Sequence, residues 1–252
     1  MKDLGEHKKI AVLIDADNAQ YSKVKSVLDE ISAHGHIVIK RAYGDWSSEY
    51  LKGWKTALNE LAIQPIQQFA YTTGKNSTDA SMIIDAMDLL YSNKFDAFAL
   101  VSSDSDFTKL ASRLRESEIF VFGVGEMKTP ISFRNAWDDF IYSENLDKDT
   151  PEPSSKPVRA NKVKDQEEPS IALELIPLLM KAWKQYQDDD GWANVSSAGN
   201  LVKRLKPDFD PRSYGATKVP EIIDSLKNDF EMKKYKGKGT VNIVAFKPKT
   251  NA

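Results

Sequence analysis

The stretch that decides the fold, Ile10–Asn18, reads IAVLIDADN. Five consecutive apolar residues followed at once by aspartates are typical of a β-strand that is buried on both faces. A second stretch, Phe95–Phe107 (FDAFALVSSDSDF), has the same form, because an apolar run again ends in aspartates. Both stretches therefore predict inner strands of a parallel sheet, each with carboxylates after its last residue.

Strand-like and helix-like segments alternate outward from these two runs. Further strands are predicted over 36–43, 66–70 and 119–124. Helices are predicted over 20–33, 49–61, 78–91, 106–116 and 131–145. This alternation predicts an α/β domain over 1–146, with a parallel sheet and helices on both of its faces.

Residues 147–169 differ from the rest of the chain, because they contain four of its 11 prolines and 11 charged residues. Such a segment buries too little apolar surface to offset its ordering entropy, which predicts a flexible linker. Residues 170–252 return to a folded pattern of three helices and a β-hairpin, over 171–187, 195–205, 219–230, 230–235 and 241–246. This pattern predicts a small C-terminal winged-helix domain.

The composition narrows the classes of function. The 252 residues carry a formal net charge of −2, but residues 1–150 hold 17 basic and 23 acidic side chains, whereas residues 151–252 hold 18 and 14. The absence of cysteine excludes disulfides, thiol catalysis and Cys-ligated metals. The chain shows neither a secretory signal nor an apolar run long enough for a membrane span, so we expect a soluble, cytoplasmic protein without membrane contact.

The aspartates after the two apolar runs are candidates for a metal site. Asp15 and Asp17 follow the first run, and Asp104 and Asp106 follow the second. A further candidate, Asp79, lies in the first turn of the predicted helix over 78–91. The amino end of that helix faces the same edge of the sheet. Carboxylates that meet there repel one another unless a cation or protons intervene, and oxygen ligands without Cys or His suit Mg²⁺ or Mn²⁺. Each aspartate alone also suits a cap or a turn.

Three segments resemble the NYN branch of the PIN-like nucleases, in the LabA-like subgroup: Ile10–Asn18, Lys75–Asp85 and Val101–Phe107. The match covers about 8–146. The resemblance implies a PIN-like Rossmannoid sheet and Mg²⁺- or Mn²⁺-dependent cleavage of RNA. It also implies catalytic and metal-binding roles for Asp15, Asp79, Asp104 and Asp106. Asn18 matches the family's asparagine after the first acid, and Ser103 stands where the third motif often has Gly.

Other basic residues of this domain are candidates for positioning the substrate. We expect Arg41, Lys75 and Lys109 to line a path to the acids, together with Asn18 and Ser103. An ordinary surface role is equally open for the lysines.

Residues 172–247 resemble the OST-HTH/LOTUS domain, which implies RNA binding, although some members of that family bind proteins instead. Candidate RNA contacts are Lys203, Arg204, Lys233, Lys234, Lys236 and Lys238. Lysines on an exposed hairpin also serve solubility and protect a sheet edge. Three aromatic residues are candidates for base stacking: Trp192, Phe209 and Tyr214. Packing in the hydrophobic core is the alternative, purely structural explanation for them.

These observations favour a metal-dependent ribonuclease that holds RNA partly with its C-terminal domain. A non-catalytic RNA-binding adaptor with a vestigial acidic pocket is the main alternative. A third interpretation is a haloacid-dehalogenase-like phosphatase, because Asp15-Ala-Asp17 imitates its D-x-D motif. That family has Thr or Val two residues after the second acid, where this chain has Ala19.

Overall fold

The computed structural model of the protein describes residues 8–68, 77–149, 168–236 and 242–249. The chain divides into two compact units. The strands of the larger unit are β1 (Lys9–Asp15), β2 (His36–Gly44), β3 (Gln64–Gln67), β4 (Ala97–Val101), β5 (Phe120–Gly125) and β6 (Asp139–Tyr142). Its α-helices are α1 (Val24–Ser32), α2 (Trp54–Glu60), α3 (Ser77–Tyr91), α4 (Thr108–Glu116) and α5 (Ile131–Arg134).

The six strands form one sheet in the order β3-β2-β1-β4-β5-β6, and every neighbouring pair is parallel. The order of the strands reverses between β1 and β4, which lie side by side in the centre. In an open parallel sheet, ligands bind outside the carboxyl ends of the strands at such a reversal. The fold therefore brings the ends of the two apolar runs together at its natural binding edge.

Both faces of the sheet are covered, as the continuous apolar run of β1 predicts. Ile10, Val12 and Ile14 belong to the core that contains the apolar side of α1. Ala11 and Leu13 belong to the opposite core, which contains residues of α3 and α4. Because side chains alternate along a strand, Asp15 lies on the same face as Leu13, beneath α3.

The prediction of a helix over 131–145 is wrong. Helix α5 ends at Arg134, and the edge strand β6 follows at Asp139–Tyr142. Trp137 lies between them and packs its ring on the backbone of Gly123, where a Cβ atom would stand 2.6 Å from the indole. The apolar residues of this region therefore pack onto β5 as a turn and a strand, an arrangement that helical spacing alone does not distinguish.

The smaller unit contains α6 (Glu168–Tyr186), α7 (Val195–Leu205), α8 (Val219–Ser225), and the strands β7 (Ala193–Asn194), β8 (Phe230–Lys236) and β9 (Asn242–Pro248). The strands form an antiparallel sheet in the order β7-β9-β8. Three helices with a hairpin against them are the architecture of a winged helix, and one apolar cluster from all three helices forms its core.

The predicted linker over 147–169 falls mostly outside the described residues. Its first residues end the 3₁₀ helix Ser143–Asp149, and its last two begin α6. Among the helices of the described ranges, none combines the length and the apolar character that crossing a membrane requires.

Candidate functional site

Asp15 ends β1 and is fully buried at the edge of the sheet. Its Oδ2 atom accepts hydrogen bonds from Asn18 Nδ2 at 2.8 Å and from Ser102 Oγ at 2.8 Å. Its Oδ1 atom is equally buried and has no hydrogen-bond partner among the residues that the structure describes. Burial, aided by the negative charge of Asp17, raises the pKa of Asp15 despite the two hydrogen bonds. A buried carboxylate oxygen without a donor is costly unless a proton or a cation meets it.

Ser102 connects the two central strands at this edge. Its hydroxyl donates to Asp15 Oδ2 and accepts the backbone N–H of Asp104 at 3.0 Å. The side chain is buried, so the contact is shielded from water. Sequence reasoning missed this residue and named its neighbour Ser103. The available signal was its position, directly after β4 and two residues before Asp104.

Asp104 and Asp106 lie in the turn that follows β4. Asp104 Oδ1 accepts the backbone N–H of Asp106 at 2.9 Å and so caps the 3₁₀ helix Ser105–Phe107. Asp104 is half-buried, whereas Asp106 is exposed. Capping a helix is a common structural role for an aspartate at such a position. Here the contact also fixes the direction in which the carboxylate points.

Asp79, in the first turn of α3, joins this pair from the other side. One carboxylate oxygen from each of Asp79, Asp104 and Asp106 lies within 4.8 Å of the other two. Burial, together with the nearby negative charges of Asp15, Asp104, Asp106 and Asp17, raises the pKa of Asp79 to about 6. Four acids therefore act electrostatically on Asp79, which identifies one shared acidic site.

The residues present fit a hard divalent cation. The donors are carboxylate oxygens, which Mg²⁺ and Mn²⁺ prefer. Their mutual repulsion and the unpartnered Oδ1 of Asp15 are the features that a bound cation would relieve. Asp15 is not one of the three residues whose oxygens lie within 4.8 Å of one another, but its charge raises the pKa of Asp79.

Two further predicted site residues have partners that define their position. Asn18 is exposed, and its amide donates to Asp15, so it orients that carboxylate. Arg41 Nη1 contacts both carboxylate oxygens of Asp85 at 2.6 and 2.7 Å, and the hydroxyl of Tyr43 also donates to Asp85. Burial, the hydrogen bond to Asp85 and the negative charge of Asp85 raise the pKa of Tyr43. The structure thus joins Arg41 to α3 through Asp85, a contact that sequence reasoning missed.

The remaining candidates of the larger unit lie apart from these contacts. Ser103 Oγ accepts the backbone N–H of Glu126 at 2.9 Å, on the side of β5. Lys109 is exposed in the first turn of α4, after the acidic turn. Lys75 lies outside the described residues. Substrate-positioning roles for these three residues stay predictions.

The basic candidates of the smaller unit occupy two places. Lys203 and Arg204 end α7, where Arg204 contacts Asn200 and Tyr186. Lys233, Lys234 and Lys236 lie on β8, and Lys238 lies outside the described residues. Of the aromatic candidates, Phe209 is buried and contacts Tyr214 within the core. Trp192 is half-buried and stands outside that core, with Lys233 Nζ 4.2 Å from its ring centroid.

Two solved structures are similar to parts of this chain. A crystal structure of a protein of unknown function from Vibrio parahaemolyticus is similar, with 18% identity and a TM-score of 0.46, over 56% of this chain and 95% of that one. A solution NMR structure of an uncharacterized protein from Nitrosomonas europaea has 26% identity and a TM-score of 0.30, over 41% of this chain and 94% of that one. No curated protein matches the chain.

Family models match both units. Residues 169–242 match the OST-HTH/LOTUS domain, an RNA-binding domain with the winged-helix architecture. Residues 9–144, which include the whole acidic site, match the NYN domain. The chain therefore belongs to the NYN domain family of the PIN-like nuclease superfamily.

Proposed function

We propose that this protein is a divalent-metal-dependent ribonuclease that hydrolyses RNA phosphodiester bonds and holds RNA partly with its C-terminal winged-helix domain. The observation that carries the proposal is the convergence of carboxylates from three separate elements at the carboxyl edge of the sheet. The raised pKa of Asp79 supports it, because an acid site that repels itself at neutral pH is a site built for a cation.

Each residue takes a role that follows from its position. Asp15, Asp79 and Asp104 would hold a Mg²⁺ or Mn²⁺ ion, and the exposed Asp106 would hold a second ion or the attacking water. Ser102 and Asn18 orient the Asp15 carboxylate through their hydrogen bonds. When bound, such an ion lowers the pKa of a coordinated water and offsets negative charge on the phosphate.

The exposed Asp106 carboxylate is placed to accept a hydrogen bond from the attacking water on the solvent side. The water oxygen bonds to phosphorus and gives a proton to the Asp106 carboxylate, while the bond to the 3′ oxygen breaks and that oxygen takes up a proton from solvent. The products are a 3′-hydroxyl and a 5′-phosphate. This product pattern is the expectation for the superfamily's usual course of reaction.

The test measures cleavage of a fluorescent single-stranded RNA by the full chain. We expect cleavage with Mn²⁺ or Mg²⁺ and its loss with EDTA. Asp104→Asn should lower kcat by more than about 100-fold, because even groups that only orient metal ligands typically contribute 10- to 100-fold. Asp88→Asn, which removes an exposed carboxylate near the other end of α3, is the matched control.

The outcomes separate the alternatives. Cleavage that survives both EDTA and Asp104→Asn contradicts the proposal. RNA binding without turnover in either metal supports a non-catalytic adaptor. A phosphoaspartate at Asp15, trapped as a beryllofluoride adduct, supports a phosphatase.

A further inference from the structure

The three-stranded sheet of the smaller unit has one face toward the core and one face toward solvent. Phe230 and Met232 of β8 pack with Phe246 of β9 on the core side. Because side chains alternate along a strand, Lys233 and Tyr235 project from the opposite face, as does Lys247 of β9. Trp192 joins the same face, since Ala193, the next residue, is buried in the core.

These four residues, Trp192, Lys233, Tyr235 and Lys247, are called the outer-face patch. Lys233 Nζ stands 4.2 Å from the centroid of the Trp192 ring and 5.3 Å from that of Tyr235. Lys247 Nζ stands 4.8 Å from the Trp192 ring. Cations at these distances are attracted to the aromatic faces. The patch thus interleaves two rings with two ammonium groups.

The backbone that carries Trp192 is fixed by its own contacts. Its N–H donates to Asp188 Oδ1 at 2.7 Å, and its carbonyl accepts the N–H of Asp188 at 2.9 Å. The ring is therefore held over the strands by a closed turn. Tyr235 is 41% exposed, so a planar ligand can reach its ring.

The patch also has a net positive charge, because it contains two lysines and, among the described residues, only one of them forms an ion pair with an acid. Lys247 forms an ion pair with Glu231 at 3.0 Å. Lys233 has aromatic contacts and, within the part of the chain that the structure describes, no ion pair with an acid. Lys234 and Lys236 are exposed on the same strand, but they alternate to the opposite face, so the charge of the patch comes from Lys233 and Lys247. A polyanion with flat groups complements such a surface.

We propose that the outer-face patch binds single-stranded RNA, with bases stacked on Tyr235 and Trp192 and phosphates on the neighbouring lysines. This inference rests on the proposed function and specifies the form of its substrate. Rings stack on bases only where the bases are unstacked from each other, so a duplex offers the patch nothing but phosphates. Lysines beside the rings bind the backbone at the same time.

The experiment measures fluorescence anisotropy of a labelled 12-nucleotide RNA, single-stranded or as a blunt duplex. The protein is the full chain with Asp104→Asn, in EDTA, so that RNA is not cleaved. We expect the single strand to bind more tightly than the duplex. Tyr235→Ala should weaken single-strand binding about tenfold, within the usual range for one base stacked on one ring. Tyr235→Phe, which keeps the ring, should bind like the parent.

The lysine contacts have a separate signature. Lys233→Gln should weaken binding and reduce the slope of log affinity against log salt by about 0.7, the change expected for one phosphate contact to a single strand. Lys181→Gln, an exposed lysine on α6 with the same change of charge, should leave both quantities unchanged. Circular dichroism of each variant verifies that the domain is folded.

Three results would overturn the proposal: unchanged binding by Tyr235→Ala and Lys233→Gln, equal loss of duplex and single-strand binding in Tyr235→Ala, or equal competition by polyglutamate, which would indicate an acidic protein as the ligand. Failure of this inference is distinguishable from failure of the proposed function. If the wild-type chain cleaves RNA with Mn²⁺ while the patch variants bind normally, only the patch assignment falls. If the patch binds RNA as expected but no metal supports cleavage, only the nuclease assignment falls.

Discussion

The acidic edge of the larger sheet and the outer-face patch of the smaller one use charge in opposite ways. At the acidic edge, carboxylates crowd together in a partly buried place, and the pKa of Asp79 rises because burial disfavours its charge and because the neighbouring carboxylates repel it. At the patch, ammonium groups lie over the half-buried ring of Trp192, which attracts them. The first arrangement costs stability until a ligand arrives, whereas the second costs little, because water and rings already offset its charge.

This difference predicts where neighbouring residues matter. Crowded carboxylates need rigid partners that hold them in place. Here these partners are Ser102, Asn18, and the contact of Arg41 with Asp85. The patch needs only its own side chains. Substitutions around the acidic edge should therefore have larger effects than substitutions around the patch lysines.

Among the residues that hold the acids in place, the largest effect is expected at Ser102. Ser102→Ala removes the hydrogen bond to Asp15 and the acceptor for the N–H of Asp104 together, so both acids lose their orientation. Because groups that orient metal ligands contribute 10- to 100-fold, we expect kcat to fall by that factor in saturating Mn²⁺. The measurement is steady-state RNA cleavage. Ser112→Ala, an exposed serine on α4, is the control, and equal activity of the two variants would show that the acids position themselves.

The next effect concerns the attachment of α3 to the sheet. Asp85→Ala leaves Arg41 and the hydroxyl of Tyr43 without their shared acceptor, on a pair whose side chains are each 23% exposed. We expect the larger unit to lose about 2 kcal/mol of unfolding free energy, less than the 3–5 kcal/mol typical of a fully buried pair. Urea titration with hydrogen-exchange mass spectrometry reads the two units separately, and Asp88→Ala is the control.

The same variant distinguishes anchoring from mere stability. Asp79 lies six residues before Asp85 on one helix, so a loosened α3 should also lower kcat at temperatures where the variant is still folded. Arg41→Met with Asp85→Leu replaces the ion pair by apolar contact and should recover much of the stability. Full activity in Asp85→Ala would mean that α3 is held by its apolar face alone.

The sequence predicted the sheet because buried strands leave a local mark, an apolar run that ends in a polar turn. The strand β6 left no such mark, since its four residues follow a buried tryptophan at a spacing that also fits a helix. The carboxylates at the strand ends could be predicted for the same local reason. The hydrogen bond of Ser102 to Asp15 spans 87 residues and that of Arg41 to Asp85 spans 44, so nothing local announces them.

Trp192 gives the same lesson for the smaller unit. From the sequence, packing in the core is the structural explanation for all three aromatic candidates of this unit. The structure places Phe209 in the core. Trp192 differs only because the strand pairing at Ala193 turns it to the outer face. Which face a residue takes beside a two-residue strand depends on register, which the local sequence does not encode.

A smaller effect with an unusual sign is expected at Asp79. Its pKa of about 6 in the folded state exceeds the ordinary value of 3.8, so the folded state binds the proton more tightly. Without metal, stability therefore falls as the pH rises between these values, and the full cost is present above about pH 6. Asp79→Asn removes this cost and should stabilise the larger unit by about 1 kcal/mol at pH 7.5, a figure reduced for solvent screening at a half-buried site.

The stability of Asp79→Asn is compared with that of the wild type at two pH values, with and without Mn²⁺. In EDTA the gain should vanish below pH 4, and Asp88→Asn should show none at either pH. Adding Mn²⁺ should stabilise the wild type and not Asp79→Asn, because the cation replaces the proton as the partner of these acids. A variant that is less stable than the wild type at pH 7.5 would show that the acidic edge is not self-repelling.

The smallest effect is expected at Lys109, the exposed lysine that follows the acidic turn. If it contacts the RNA backbone beside the acids, Lys109→Gln should raise KM two- to threefold and leave kcat unchanged, since an exposed charge contact contributes less than about 1 kcal/mol. Lys55→Gln, an exposed lysine on α2, is the matched control. A fall in kcat instead would place Lys109 at the reacting phosphate. The acidic edge would then contain an ammonium group of its own, and it would differ less from the patch in its use of charge.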